Sequence, residues 1–127
     1  MNMTALLVVD EEANTRLLYK DEFQNEGYEV TVAETTEEAM EKIYQSKPDF
    51  ITLDLTMPGT KGIEFLRKIK EEKYNIPVVL CSAYAGYKKD YRISVCDAFV
   101  VMSADLTELK AIIRRILRHK KSQFVLH

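Results

Sequence analysis

Three carboxylates and one hydroxyl stand at the ends of short apolar runs. Asp10 and Glu11 close Thr4-Ala5-Leu6-Leu7-Val8-Val9, Asp54 closes Phe50-Ile51-Thr52-Leu53, and Ser82 closes Val78-Val79-Leu80-Cys81. An aspartate after an apolar run is, taken alone, an ordinary turn former or helix cap. If the runs are neighbouring parallel strands, however, all of these groups gather beyond one edge of a sheet, where open α/β folds bind their ligands. Like charges that close disfavour one another's ionisation unless a shared proton or a cation relieves them, and hard oxygen ligands suit Mg²⁺. The chemistry to expect is that of a divalent-metal pocket.

The elements needed to position these groups can be read along the chain. Residues 4–9 are too few for a free-standing helix and rich in strand formers, which reads as a buried parallel strand. A helix is predicted over 13–26, with Leu17, Leu18 and Phe23 among charges and Gly27 as its stop. A short strand at 29–32 follows. Thr35-Thr36-Glu37-Glu38 has the form of a capping box, in which the Thr35 hydroxyl and the Glu38 carboxylate satisfy exposed backbone donors. The helix it opens presents Ala39, Met40, Ile43 and Tyr44 on one face, and Pro48 closes it. After the 50–53 strand, Met57-Pro58-Gly59 and Gly62 punctuate a loop. Ile63, Leu66 and Ile69 mark a helix up to Lys73, and Pro77 introduces the fourth strand. Residues 84–96 form a short, weak helix, and Ala98 to Met102 a fifth strand. Asp105 caps a last helix, with Glu108 in its first turn and Leu106, Leu109, Ile112, Ile113, Ile116 and Leu117 on its buried face. Strand and helix thus alternate five times, which predicts an α/β fold: a doubly wound five-stranded parallel sheet with helices on both faces.

At 127 residues, 46% hydrophobic and 30% charged, the chain has the balance of one globular domain that needs no disulfide or metal staple. Cys81 and Cys96 lie in apolar runs without metal-ligand or redox spacing and read as buried small hydrophobes. Met1 to Asp10 has no basic leader and only a short apolar stretch, so a cytoplasmic protein is expected. The net charge of −2 hides a split between an acidic first half and a basic second half. Lys110 to Lys121 is entirely basic where charged, which reads as a solvated helix face whose cations complement the helix dipole. No arginine-rich arm or aromatic platform accompanies it, so direct contact with nucleic acid or membrane is not expected. His119 and His127 are expected to be solvent-exposed.

With these motifs in order, the sequence resembles the receiver domain of two-component response regulators along nearly its whole length. Val8-Val9-Asp10-Glu11 resembles that family's acidic pair, and Leu53-Asp54-Leu55-Thr56-Met57-Pro58-Gly59 with Gly62 its phosphoacceptor loop. Pro77-Val78-Val79-Leu80-Cys81-Ser82-Ala83 resembles the strand carrying the switch hydroxyl, and Asp97 to Val101 with Asp105 to Leu109 the last strand and helix entry. The resemblance implies a flavodoxin-like (βα)5 fold in which Asp54 accepts a phosphoryl group from a sensor histidine kinase. It implies Mg²⁺ held by Glu11, Asp54 and the Thr56 backbone carbonyl with Asp10 nearby, Ser82 on the acyl phosphate, and Phe99 as the switch aromatic. Such a domain is a signalling module rather than an enzyme in the usual sense. It would pass its signal to a downstream protein through the face formed by the 84–96 helix, the fifth strand and the last helix. Residues 1–121 would be the receiver and 122–127 a short tail, with no output domain.

One position departs from the family pattern. Met102 stands where the resemblance calls for a lysine, and a thioether brings neither charge nor donor. Losing a charge-assisted hydrogen bond costs about 1.5–3 kcal/mol, or roughly one to two orders of magnitude in an equilibrium. The expectation is a site that still takes metal and phosphoryl group with altered output; Lys88 and Lys61 are conceivable surrogate cations. A phosphorylation-independent scaffold is the alternative. A metal-dependent phosphatase of similar topology is a third class, but such enzymes usually place a second aspartate where this chain has Thr56.

Overall fold

A computed structural model describes residues 3–54, 61–72, 74–83 and 96–125. Their elements run β1 (Ala5–Val9), α1 (Ala13–Asn25), β2 (Glu29–Ala33), α2 (Thr36–Gln45), β3 (Phe50–Asp54), α3 (Lys61–Glu71), β4 (Val78–Ser82), β5 (Ala98–Val101) and α4 (Thr107–Val125). The strands form one parallel sheet in the order β2-β1-β3-β4-β5. The chain winds outward from β1 to β2 and then crosses back to β3, so the winding reverses between β1 and β3. The expected helix over 84–96 and the Met57-Pro58-Gly59 loop lie outside the described residues.

Strand side chains alternate between two cores. Leu7, Val9, Ile51, Leu53, Val78 and Leu80 pack with Ala39, Met40 and Ile43 of α2 and Ile63, Phe65, Leu66 and Ile69 of α3. Leu6, Val8, Phe50, Val79, Cys81 and Val100 pack on the other face with Tyr19 and Phe23 of α1 and Leu109 and Ile113 of α4. Both faces of every central strand are therefore covered, which is why those strands read as unbroken apolar runs.

Local chemistry sets the element ends. At the close of α1, the N–H groups of Gly27 and Tyr28 donate to the carbonyls of Gln24 and Phe23. Gly27 there has φ +96°, a conformation that strains any residue with a Cβ. At α2, Thr35 Oγ1 accepts from the Glu38 N–H at 3.1 Å, while the Glu38 carboxylate reaches the Glu34 N–H at 3.3 Å, one residue earlier than a strict reciprocal box. Asp105 Oδ1 accepts from the Thr107 N–H at 2.9 Å and so opens α4. Two further aspartates hold the opposite edge of the sheet. Asp49 accepts from the Ala5 N–H at 2.8 Å and Asp97 from the Val78 N–H at 2.7 Å.

Several expected burials are corrected. Tyr44 is 58% exposed, because the buried face of α2 runs through Ala39, Met40 and Ile43 and leaves Tyr44 at its flank. There its hydroxyl donates to Glu72 at 3.3 Å and its ring tilts against Tyr74. Leu17 and Leu18 are exposed, and α1 faces the sheet with Tyr19 and Phe23 instead, an i, i+4 pair in edge-to-face contact at 5.9 Å. Cys81 is buried as expected, whereas Cys96 is half-buried. The strand at 98–102 ends at Val101.

Thr52 supplies a test of this packing. It is 2% exposed, lies between Val8 and Val79 in register, and its hydroxyl has no hydrogen-bond partner. A buried hydroxyl without a partner costs about 1–3 kcal/mol. Thr52→Val, of nearly the same shape, should therefore raise the urea midpoint by the equivalent of about 1 kcal/mol with an unchanged m-value; a lowered midpoint would mean the hydroxyl contributes to stability after all.

Candidate functional site

Topology alone brings the first and third strand ends together. Val9 lies opposite Leu53 in register, so Asp10, one residue beyond, stands beside Asp54, the last residue of β3. Both are nearly sealed from solvent, at 2% and 4% exposed. The Glu12 N–H donates to Asp10 Oδ1 at 2.9 Å, and the Arg16 guanidinium is engaged at the Asp10 backbone carbonyl at 2.8 Å. Burial is the largest influence on Asp10 and raises its pKa; the Glu12 N–H opposes it, and the charges of Asp54 and Glu12 add to the rise. The net effect carries Asp10 from 3.8 to about 6. The pair is thus poised to share a proton or to take a cation.

The other expected site residues are placed as follows. Glu11 is exposed just past β1, apart from the pair, and among the described residues no three acidic, cysteine or histidine side chains cluster closely enough to hold a metal. The Thr56 carbonyl lies outside the described residues. A buried, mutually repelling carboxylate pair nevertheless fits Mg²⁺, which is commonly held by one or two carboxylates and keeps several waters. Ser82 ends β4 fully buried, two strands over from Asp10, and its carbonyl accepts from the Met102 N–H at 2.7 Å. Phe99 is half-buried on β5 and packs on the α2/α3 face with Tyr74 and Cys96. Met102 packs on the other face, against the cluster that contains Tyr19 and Cys81. His119 is exposed, and Lys88 lies outside the described residues.

Two residues at the site escaped the sequence reading. Cys81 lies opposite Asp54 in register, and Tyr19, 3% exposed, is buried in the same core cluster as Cys81. Burial, with the negative charges of Asp54 and Asp10, pushes the Cys81 thiol up to about 12 and keeps the Tyr19 phenol protonated well beyond its ordinary range. The only sequence signal for Tyr19 was its i, i+4 spacing from Phe23.

The model of the response regulator receiver domain matches residues 6–120. This chain belongs to that family. Among receiver relatives, the chain is 39% identical over 79 residues to the chemotaxis protein CheY of Thermotoga maritima, covering 61% of this chain and 66% of CheY. It is 32% identical over 121 residues to the regulatory protein AtoC of Escherichia coli, covering 91% of this chain but 26% of AtoC. It likewise spans only 34% of ResD of Bacillus subtilis and 51% of PhoB of Pseudomonas aeruginosa. A receiver solved with Mg²⁺-BeF, TrrA of Thermotoga maritima, superposes with a TM-score of 0.84 at 39% identity over 89% of this chain and 98% of that one. TrrA has also been solved in complex with the histidine kinase ThkA. The five-stranded parallel fold and the family membership agree with the sequence reading. No helix among the described residues is long and apolar enough to cross a membrane.

Proposed function

We propose that this receiver takes a phosphoryl group from a sensor histidine kinase onto Asp54, with Mg²⁺ bound, and relays the event through protein contacts. The observation that carries the reading is the buried Asp10–Asp54 pair at the reversal of the winding. Two sealed carboxylates on neighbouring strand ends disfavour one another's charge and cost stability unless a cation relieves them, and TrrA, similar in fold and sequence, takes Mg²⁺-BeF.

In the proposed reaction a carboxylate oxygen of Asp54 forms a bond to phosphorus as the bond from phosphorus to the kinase histidine nitrogen breaks, and the imidazole leaves with that electron pair. Asp10, Glu11 and Asp54, with the Thr56 carbonyl, would hold Mg²⁺, which when bound neutralises charge on the acidic pair and on the phosphoryl oxygens. Asp10 and the Glu12 N–H fix the approach to Asp54. Ser82 would donate to the acyl phosphate, and a shift there reaches Phe99 on the adjacent strand, since Leu80 pairs with Phe99 and Ser82 with Val101. The downstream partner would dock on the face of the 84–96 segment, β5 and α4. Residues 1–121 are proposed as the receiver unit, acting in the cytoplasm as a signalling module. The scaffold alternative gains no support from the retained acidic pair.

Incubation with a small phosphodonor should add the mass of one phosphoryl group to the wild type with Mg²⁺, and essentially none after chelation. Equal labelling with and without Mg²⁺ would contradict the metal requirement.

A further inference from the structure

Asp10 is held from three sides. Its N–H donates to the Ala33 carbonyl at 3.0 Å, its Oδ1 accepts from the Glu12 N–H at 2.9 Å, and its backbone carbonyl accepts from Arg16 Nη1 at 2.8 Å. The first two bonds are what a strand end and a turn into a helix supply. The third is unusual, because Arg16 lies in the first turn of α1, where a cation opposes the helix dipole. Asp10, Glu11 and Glu12 precede it closely, yet among the described residues Arg16 makes no ion pair and sets its guanidinium on a backbone carbonyl instead. Glu12, which opens α1, gives no side-chain cap. The turn that carries the acidic residues is therefore tied by Asp10 and Arg16 between them.

Resting on the phosphoacceptor reading above, we infer that Arg16 is a positioning residue for Mg²⁺: its guanidinium pins the Asp10–Glu11 peptide, so that Glu11 is presented to the metal beside Asp10 and Asp54. A peptide unit is planar, so holding the Asp10 carbonyl fixes the Glu11 N–H and Cα with it. Glu11 is exposed, and its direction is set by the backbone it stands on rather than by packing around it. The sign of the effect separates this role from a bystander's. A cation beside a Mg²⁺ pocket repels the metal, so by its charge alone Arg16 weakens binding. As a strap it strengthens binding, by ordering in advance a turn that the metal would otherwise have to order on entry.

The test compares the wild type with Arg16→Met and Arg16→Lys, reading Mg²⁺ binding by calorimetry. Arg16→Met keeps an apolar stem and loses every donor, and it should bind Mg²⁺ about tenfold more weakly, as expected for one lost charge-assisted hydrogen bond. Arg16→Lys can still donate to the carbonyl and should bind within about threefold of the wild type. With no metal present, the Glu12 amide in the same turn should exchange its hydrogen about tenfold faster in Arg16→Met. At saturating Mg²⁺, Arg16→Met should bind beryllofluoride, a mimic of the phosphoryl group, within about twofold of the wild type and label with phosphodonor at a similar rate. A positioning residue raises the metal requirement without touching the phosphoryl group. Should Arg16→Met fold poorly, Arg16→Gln serves with the same expectations, since its amide stands on a shorter stem and falls short of the carbonyl. Tighter or unchanged Mg²⁺ binding, unchanged Glu12 exchange, or no recovery in Arg16→Lys would overturn the inference while leaving the Asp54 reading intact. Labelling that stays slow at saturating Mg²⁺ would also overturn it, by placing the guanidinium on the phosphoryl group. A folded wild type that neither binds Mg²⁺ nor labels would overturn both readings.

Discussion

Replacing Asp10 with asparagine should make the metal-free protein more stable at neutral pH and, in the same step, remove most of its response to Mg²⁺. The amide keeps the acceptor for the Glu12 N–H and removes a charge that is buried beside Asp54. Because the folded-state pKa of Asp10 is raised above its unfolded value of 3.8 to about 6, the folded protein binds its proton more tightly than the unfolded chain does. Below pH 3.8 the group is protonated in both states and costs nothing. As pH rises through 6 the full cost appears and then stays constant. For this coupled pair we expect a gain of about 2 kcal/mol in Asp10→Asn at pH 7.5, roughly 6–10 °C in Tm, shrinking toward zero by pH 4. Saturating Mg²⁺ should reverse the ranking, since a cation that binds only the folded wild type stabilises it by mass action, about 2.7 kcal/mol at a hundred times its Kd. Thermal melts of both proteins across pH, with Mg²⁺ and with chelator, check this. A variant less stable than the wild type in chelator at pH 7.5 would show that the pair is not a strained acidic site.

Met102→Lys should raise beryllofluoride affinity and the phosphorylated fraction by roughly 10–100-fold, the return on one charge-assisted hydrogen bond. The backbone there is already anchored by the Met102 N–H on the Ser82 carbonyl at 2.7 Å. A lysine stem can follow the same apolar surface as the methionine and extend its ammonium toward the acidic pair. That cation should also pull the Asp10 pKa back down, so the pH dependence described for the metal-free protein should flatten in Met102→Lys. An unchanged affinity together with an unchanged pH profile would mean that position 102 does not communicate with the pocket.

The strands were legible because each is buried on both faces and therefore written as an apolar run, and their carboxylate ends were legible because charge interrupts those runs abruptly. Asp10, Asp54 and Ser82 followed from that pattern and the parallel topology. Local periodicity was less informative on α1, where Leu17 and Leu18 look like core but face solvent. Its two buried aromatics, Tyr19 and Phe23, take the face turned to the sheet instead. Tyr44 misled for a related reason: an apolar residue next to a true core position sits only one helical step, about 100°, away from it. Nothing in the sequence pointed to the roles of Asp49 and Asp97, because their partners, the N–H groups of Ala5 and Val78 at the starts of β1 and β4, are remote in sequence. Tyr19 and Cys81 meet in one core from α1 and β4, and no spacing rule reaches across that gap.

The central claim is that Asp54 is the group modified. Acyl phosphates are reduced by borohydride to an alcohol, so the phosphorylated protein, treated in this way and digested, carries a permanent mark at its acceptor. Peptide mass mapping should place the mark on Asp54 alone in the wild type, leave Asp54→Asn unmarked, and show none without Mg²⁺. A mark on Asp10 or Glu11, or one that survives in Asp54→Asn, would contradict the account.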